Sequence, residues 1–247
     1  MAELFNINNE TGDTSQYTSI VDPDTDEFNV TEAAALKGTY GAAITVDDQD
    51  AVYGEKTFTQ ITSTSYRLRH YIDPNELTMA NADHFYVLVI RGGGGGRGFI
   101  DLHYDGANYE IRLCLYDDAG LQSTAYYDIT DASHYVEALV NYATGAEAED
   151  DSATLWIDGA SQETLSNLDL FSIAKPDGLR IGACSGVDVG TSGTFYVDEL
   201  VFRDDSTAIG ACSSVEAAAM TNWGRVGQMA TVSEVNIGEL ATLRVNT

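Results

Sequence analysis

The stretch Phe195-Tyr196-Val197-Asp198-Glu199-Leu200-Val201-Phe202 decides how this chain reads. It is a run of β-formers with one carboxylate on each parity: Asp198 among the even positions, Glu199 among the odd ones. Whichever set faces inward brings an acid with it, unless a bulge shifts the register at Asp198-Glu199. Similar short runs precede it: Tyr135-Val136-Glu137, Leu155-Trp156-Ile157-Asp158-Gly159 and Leu179-Arg180-Ile181-Gly182. Gly, Asp, Asn and Ser punctuate the gaps, strand signals recur about every ten to fifteen residues, and long helical periods are missing, which is the pattern of an all-β sandwich.

Working outward, Tyr109, Ile111, Leu113 and Leu115 alternate with Glu110, Arg112 and Cys114, as in a half-buried strand with one wet face. With Phe99–Tyr104 before it and Leu121–Tyr127 after it, this predicts an antiparallel meander. Phe85–Ile90 is apolar on both parities and reads as a central strand covered on both faces. The tract Arg91-Gly92-Gly93-Gly94-Gly95-Gly96-Arg97-Gly98 between two strands reads as a flexible hairpin loop, the alternative being an anion-binding nest.

Thirty-nine acids face twelve bases in 247 residues, a net charge of −27. Phosphate backbones and acidic membrane surfaces are repelled by such a chain, so nucleic acid is excluded as a partner. No apolar run of about 18 residues is present, so no membrane insertion is expected. Met1-Ala2-Glu3-Leu4 lacks the basic and apolar regions of a secretory signal. Two compatible readings of the acidity stand: a strongly solvated surface in salty surroundings, and divalent-cation binding by some carboxylates. Three cysteines, Cys114, Cys184 and Cys212, make no disulfide framework and no zinc spacing.

Together with the opening Asn9-Glu10-Thr11-Gly12-Asp13, these runs resemble the concanavalin A-like lectin/glucanase superfamily, and within it the laminin-G-like jelly rolls. The resemblance implies an all-β, two-sheet antiparallel jelly-roll sandwich over residues 1–203. Residues 204–247 would then form a C-terminal arm or assembly segment. In the resembled family an acid in the last strand lies near the opening turn and shares a cation with it. The resemblance thus places Ca²⁺ at Glu10, Asp13 and Asp198; the alternative is that Asp198 caps a turn through backbone N–H groups. Beyond Asp205, Ser213–Met220 reads as a short capped helix, and Val226, Met229, Val232 and Val235 recur every third residue. This segment either packs back on the sandwich or docks on another subunit.

Sugar rings stack on aromatic faces while their hydroxyls bond polar side chains. The wet face or rim of the meander offers His103, Tyr104, Arg112 and Tyr116 for this. Trp156 has opposite parity to Leu155 and Ile157 and is expected to pack between strands. Catalysis is not expected. The Glu-x-Asp-x-x-Glu run of the glucanase branch is absent, and His70, His84, His103 and His134 have no Ser or Cys motif beside them. Asn9-Glu10-Thr11 and Asn29-Val30-Thr31 match glycosylation acceptors, a pattern frequent by chance. The functional expectation is a non-enzymatic, surface-exposed recognition protein of virion type, binding a glycan or other virion proteins and either homo-oligomerising or docking through 206–247. Its rivals are a purely structural capsid decoration protein and a polysaccharide-active enzyme.

Overall fold

Glycine, aspartate and asparagine cut the chain into short extended segments, and the computed structural model, which describes residues 3–142 and 149–212, turns sixteen of them into strands. In chain order they are β1 (Glu3–Ile7), β2 (Ser19–Val21), β3 (Phe28–Thr31), β4 (Gly41–Val46), β5 (Val52–Thr57), β6 (Ser65–Asp73), β7 (His84–Gly92) and β8 (Gly95–Tyr104). There follow β9 (Tyr109–Asp117), β10 (Gly120–Ser123), β11 (Tyr127–Ile129), β12 (His134–Asn141), β13 (Asp151–Ile157), β14 (Ala160–Leu168), β15 (Gly178–Ser185) and β16 (Gly193–Arg203). Sheet A runs β14-β13-β12-β6-β16-β4-β3, with β1 beside β16; sheet B runs β10-β9-β8-β7-β15-β5-β2, with β11 beside β9. The expected two-sheet antiparallel jelly-roll sandwich is the fold observed, and β8-β9-β10 is the predicted meander.

Period-two alternation fills the space between the sheets. Tyr66, Leu68 and Ile72 of β6 share one apolar core with Ile100 and Leu102 of β8 and Ile111 and Leu113 of β9. Phe202 anchors one end of that core, its ring 5.8 Å from Phe5, 5.0 Å from Phe58 and 5.5 Å from Tyr66. Each such aromatic pair adds roughly 0.5–1.5 kcal/mol beyond its buried area.

β16 resolves its parity conflict with a bulge. Asp198 faces Tyr71 of β6, but Val201 faces Arg69, so one extra residue is inserted. Glu199 takes the strain at φ 51°. Phe195 and Val197 point into the core before the bulge, and Leu200 and Phe202 after it. The partner on the other edge changes at the same point: β4 pairs with Gly193–Val197, and β1 pairs with Leu200–Arg203.

The glycine tract is shorter as a loop than its sequence suggests. The β7–β8 ladder continues through Arg91↔Gly96 and Gly92↔Gly95, leaving Gly93 and Gly94 as a two-residue turn at φ 58° and 84°. Both central residues need positive φ, which glycine supplies without a Cβ penalty. A Cβ on Gly92 would lie 2.4 Å from the Ala174 carbonyl oxygen, so that glycine is a matter of packing. The nest reading fails as well: the Gly93 N–H donates to Asp177, and the carbonyls of Gly92 and Gly94 accept from Arg97 and Arg91.

Residues 204–212, assigned by sequence to the C-terminal segment, lie along the outer surface of sheet A. Glu137 of β12 accepts from the N–H groups of Ile209 (2.9 Å) and Gly210 (3.0 Å) while pairing with Arg67. Arg69 donates to the Gly210 carbonyl at 3.0 Å, and the Cys212 N–H donates to the Tyr71 hydroxyl at 2.8 Å. Trp156 sits on the same face beneath the Arg67 guanidinium, 4.3 Å from ring to cation. The helix expected at Ser213–Met220 and the valine recurrences after it lie outside the described residues.

Glu137 is 2% exposed, so Glu137→Ala leaves a buried Arg67 and two N–H groups without their acceptor. The expected cost is about 3 kcal/mol, read by chemical denaturation. Hydrogen exchange should rise at Ile209 and Gly210 before it rises in β6.

Candidate functional site

The three carboxylates expected to share a cation are not brought together. Asp198 is 1% exposed and accepts four hydrogen bonds, from Leu36 N–H (3.2 Å), Lys37 N–H (2.9 Å), Glu199 N–H (2.8 Å) and the Asn9 amide (3.2 Å). Glu10 caps the N–H groups of Thr39 and Tyr40, and Asp13 caps Ser15 at the start of a 3₁₀ turn, Thr14–Gln16. Glu10 and Asp13 therefore serve backbone N–H groups, and Asp198 serves three backbone N–H groups and the Asn9 amide, which is the alternative of capping backbone N–H groups. Asn9, at the head of the opening turn, links Asp198 to the Tyr17 hydroxyl (3.0 Å). At 1% exposure its engaged amide is no glycosylation acceptor.

Among the described residues, the carboxylates that do converge are Asp24, Glu27 and Asp47, with oxygens within 4.8 Å of one another. Asp24 and Glu27 lie between β2 and β3, and Asp47 follows β4. Three such acids can hold a cation. Burial, together with the Asp47 carboxylate beside it, pushes the Glu27 pKa up to about 7.

The outer face of sheet B carries the richest side-chain chemistry. Cross-strand pairing lines up three rows across β7, β8 and β9: Val89-Phe99-Cys114, Tyr86-Asp101-Arg112 and His84-His103-Glu110. Asp101 is fully buried at the centre. Its Oδ2 accepts from Arg112 Nε (2.9 Å) and the Tyr126 hydroxyl (3.0 Å), and its Oδ1 lies 3.2 Å from His84 Nδ1. Charge-assisted bonds of this kind contribute about 1.5–3 kcal/mol each and hold their donors in fixed positions. Tyr126 reaches in from the loop after β10, stacking on His103 at 4.4 Å and lying 4.2 Å under the Arg112 guanidinium. Burial and the Asp101 carboxylate push its hydroxyl well above the usual tyrosine range, so it stays protonated. His103 Nδ1 meets Glu110 at 2.7 Å. Tyr86, Phe99 and Tyr116 continue as an aromatic run at 4.3 and 5.9 Å, ending in Tyr116 at 40% exposure. Burial raises Cys114 to about 11 and raises Cys184 as well, so neither supplies a thiolate.

Of the four sugar-contact candidates, His103, Arg112 and Tyr116 share this face. Tyr104 does not: one residue on from His103, it turns to the other side and packs on Tyr109 at 5.2 Å. It lines a separate rim cavity of about 600 Å³ with Asp128, Asp131, His134 and Asp158. There His134 Nε2 accepts from the Thr130 N–H, so its Nδ1 donates to Asp158 at 2.6 Å and both ring nitrogens are occupied. Sequence reading missed Asp101, His84 and Tyr86. Asp101 and His103 have the same parity in Phe99–Tyr104, a polar pair on an otherwise apolar strand, and that signal was available. Nothing in the sequence brings Tyr126 to them.

No family model matches the chain, and no curated protein matches it. Solved structures do match in fold. One is the cellulose induced protein Cip1, with TM-score 0.58 and 14% identity over 84% of this chain and 100% of that one. Another is an endo-β-1,4-glucuronan lyase from the fungus Trichoderma reesei, with TM-score 0.52 and 13% identity over 81% and 95%. A third is the ligand binding domain of botulinum neurotoxin serotype D in complex with N-acetylneuraminic acid, with TM-score 0.56 and 10% identity over 83% of this chain and 48% of that one. The sandwich is therefore concanavalin A-like, a fold shared by an enzyme and by a ligand-binding domain. None of these names speaks of a virion.

Burial raises the Asp198 pKa to about 7, the bonds from Lys37, Glu199 and Asn9 pulling it down without overcoming that push. The unfolded value is about 3.9, so the native state keeps a proton that the unfolded chain releases. This contribution is fully present below about pH 4 and is lost as pH rises through about 7. Denaturation across that range should show Asp198→Asn reducing the pH slope, by up to about 1.4 kcal/mol per pH unit.

Proposed function

We propose that the protein is a non-enzymatic glycan-binding module of the extracellular or virion surface, and that the outer face of sheet B is its contact surface. The observation that carries this reading is the Tyr86-Asp101-Arg112 row with Tyr116 beside it. An outward sheet face without a task is ordinarily polar and loosely paired. This one holds a buried acid that fixes Arg112, Tyr126 and His84, next to a partly exposed aromatic run. Rigid aromatic faces suit the C–H side of a pyranose, and a guanidinium and an imidazole suit its hydroxyls or an acidic substituent. Support comes from the fold neighbour in complex with N-acetylneuraminic acid, and from another, of botulinum neurotoxin type C, whose cell entry depends on interaction with two ganglioside molecules.

A second reading, a polysaccharide lyase, rests on His84. Its Nδ1 is held by Asp101, its side chain is 39% exposed, and Arg112 shares the same carboxylate. A positioned imidazole beside a cation is the minimum for removing a proton next to a uronate carboxylate. The purely structural reading predicts that neither chemistry occurs.

A glycan array on the full-length protein separates the three. Specific binding that falls at least tenfold in Tyr116→Ala, with unchanged melting temperature, is the expected result. Silence across neutral and acidic glycans favours the structural role. Release of an unsaturated uronate product, absorbing in the ultraviolet and lost in His84→Ala, favours the lyase.

A further inference from the structure

Glu27 lies at the end of the acidic run Asp22-Pro23-Asp24-Thr25-Asp26-Glu27, immediately before the buried Phe28. Its backbone is pinned on both sides: its N–H donates to Asp22 Oδ1 at 3.1 Å, and its carbonyl accepts from the Thr45 N–H at 2.8 Å. That anchorage draws the side chain inside, where the residue is 4% exposed. Both carboxylate oxygens are shielded from solvent, neither has a hydrogen-bond partner of good geometry, and the pull of the Asp24 backbone does not offset the push of burial and Asp47 on the carboxyl. Burying such a group without a partner is costly. Elsewhere among the described residues buried acids are served: Asp101 by Arg112 and Tyr126, Asp198 by four N–H groups, Glu137 by Arg67 and the 209–210 backbone. What Glu27 faces instead is two more acids, Asp24 and Asp47, both exposed.

We infer that Asp24, Glu27 and Asp47 form a Ca²⁺ site that ties the β2–β3 loop to the turn after β4. Calcium–oxygen distances are about 2.3–2.6 Å, so two ligands of one ion lie at most about 5 Å apart. The three oxygens fall within 4.8 Å of one another. A divalent ion supplies what Glu27 lacks, a positive partner for two buried oxygens, and turns mutual repulsion among three acids into attraction to one centre. The exposure of Asp24 and Asp47 leaves the outer side of the ion to water, which completes a shell of six to eight oxygens. Calcium fits better than magnesium, which demands octahedral geometry, keeps most of its water and is held by one or two carboxylates. This site is separate from Glu10, Asp13 and Asp198, whose oxygens cap backbone N–H groups.

The test uses the full chain, stripped with EDTA and dialysed into calcium-free buffer, with Ca²⁺ and Mg²⁺ titrated by calorimetry and by thermal melting. Asp24→Asn and Asp47→Asn are the informative variants, because both positions are exposed and the fold does not depend on them. Each should lose at least tenfold in Ca²⁺ affinity. Asp47→Asn should also melt higher than wild type in EDTA, having lost a like charge, and lower than wild type in excess Ca²⁺, having lost a ligand. Glu10→Gln should keep wild-type affinity. No Ca²⁺ binding by wild type, or binding that survives both Asn variants, overturns the site. An equal response to Mg²⁺ overturns its assignment to calcium.

Discussion

The buried carboxylate of Asp198 is the constraint on which the sandwich turns. It sits where β16 changes partner from β4 to β1, and its oxygens reach Asn9, Leu36, Lys37 and Glu199. Chain segments nearly two hundred residues apart are thus held by one side chain. Without the bulge beside it, either Phe195 and Val197 or Leu200 and Phe202 would face away from the core. The acid is costly to bury, yet it supplies acceptors for backbone donors that a change of strand partner leaves exposed.

The two outer faces of the sandwich have been put to different uses. On sheet A, Arg67, Arg69 and Glu137 hold residues 206–212 flat against the strands, so their charges are consumed internally. On sheet B, Arg112 and His84 are held by Asp101 but keep part of their surface toward solvent. The same physical device, a buried acid paired with arginine, closes one face and prepares the other. In a chain of net charge −27 with twelve bases, Arg67, Arg112 and Arg180 each lie over an aromatic ring beside a carboxylate.

Much of the architecture is legible in the sequence because a sheet imposes a strict period of two. Ile111, Leu113 and Leu115 mark a core face without help, and the clash of parities at Asp198-Glu199 announces a bulge. Parity also shows that His103 and Tyr104 point to opposite sides, so grouping them in one site conflicts with the same rule that finds the strand. Other features depend on distances no local pattern contains. Glu27 meets Asp47 only after two loops close, and Tyr126 reaches Asp101 from a loop twenty-five residues on. The glycine tract misleads for a different reason: glycine is read as looseness, whereas Gly92 is there because a carbonyl passes too close for any side chain.

β16 is the last described strand in the chain, yet it lies inside sheet A, between β6 and the pair β4 and β1. The first strand finds its register only against it, with Glu3 opposite Arg203. During synthesis from the N-terminus, β1, β4 and β6 must therefore wait, each with its β16-facing edge unpaired, until nearly all of the domain has left the ribosome. Long-range pairings of this kind close slowly and leave sheet edges open to wrong partners. A coat of negative charge on the nascent segments keeps neighbouring chains apart during that delay. The acidity that marks the finished protein thus has a second use, as protection for a fold that cannot be completed piece by piece.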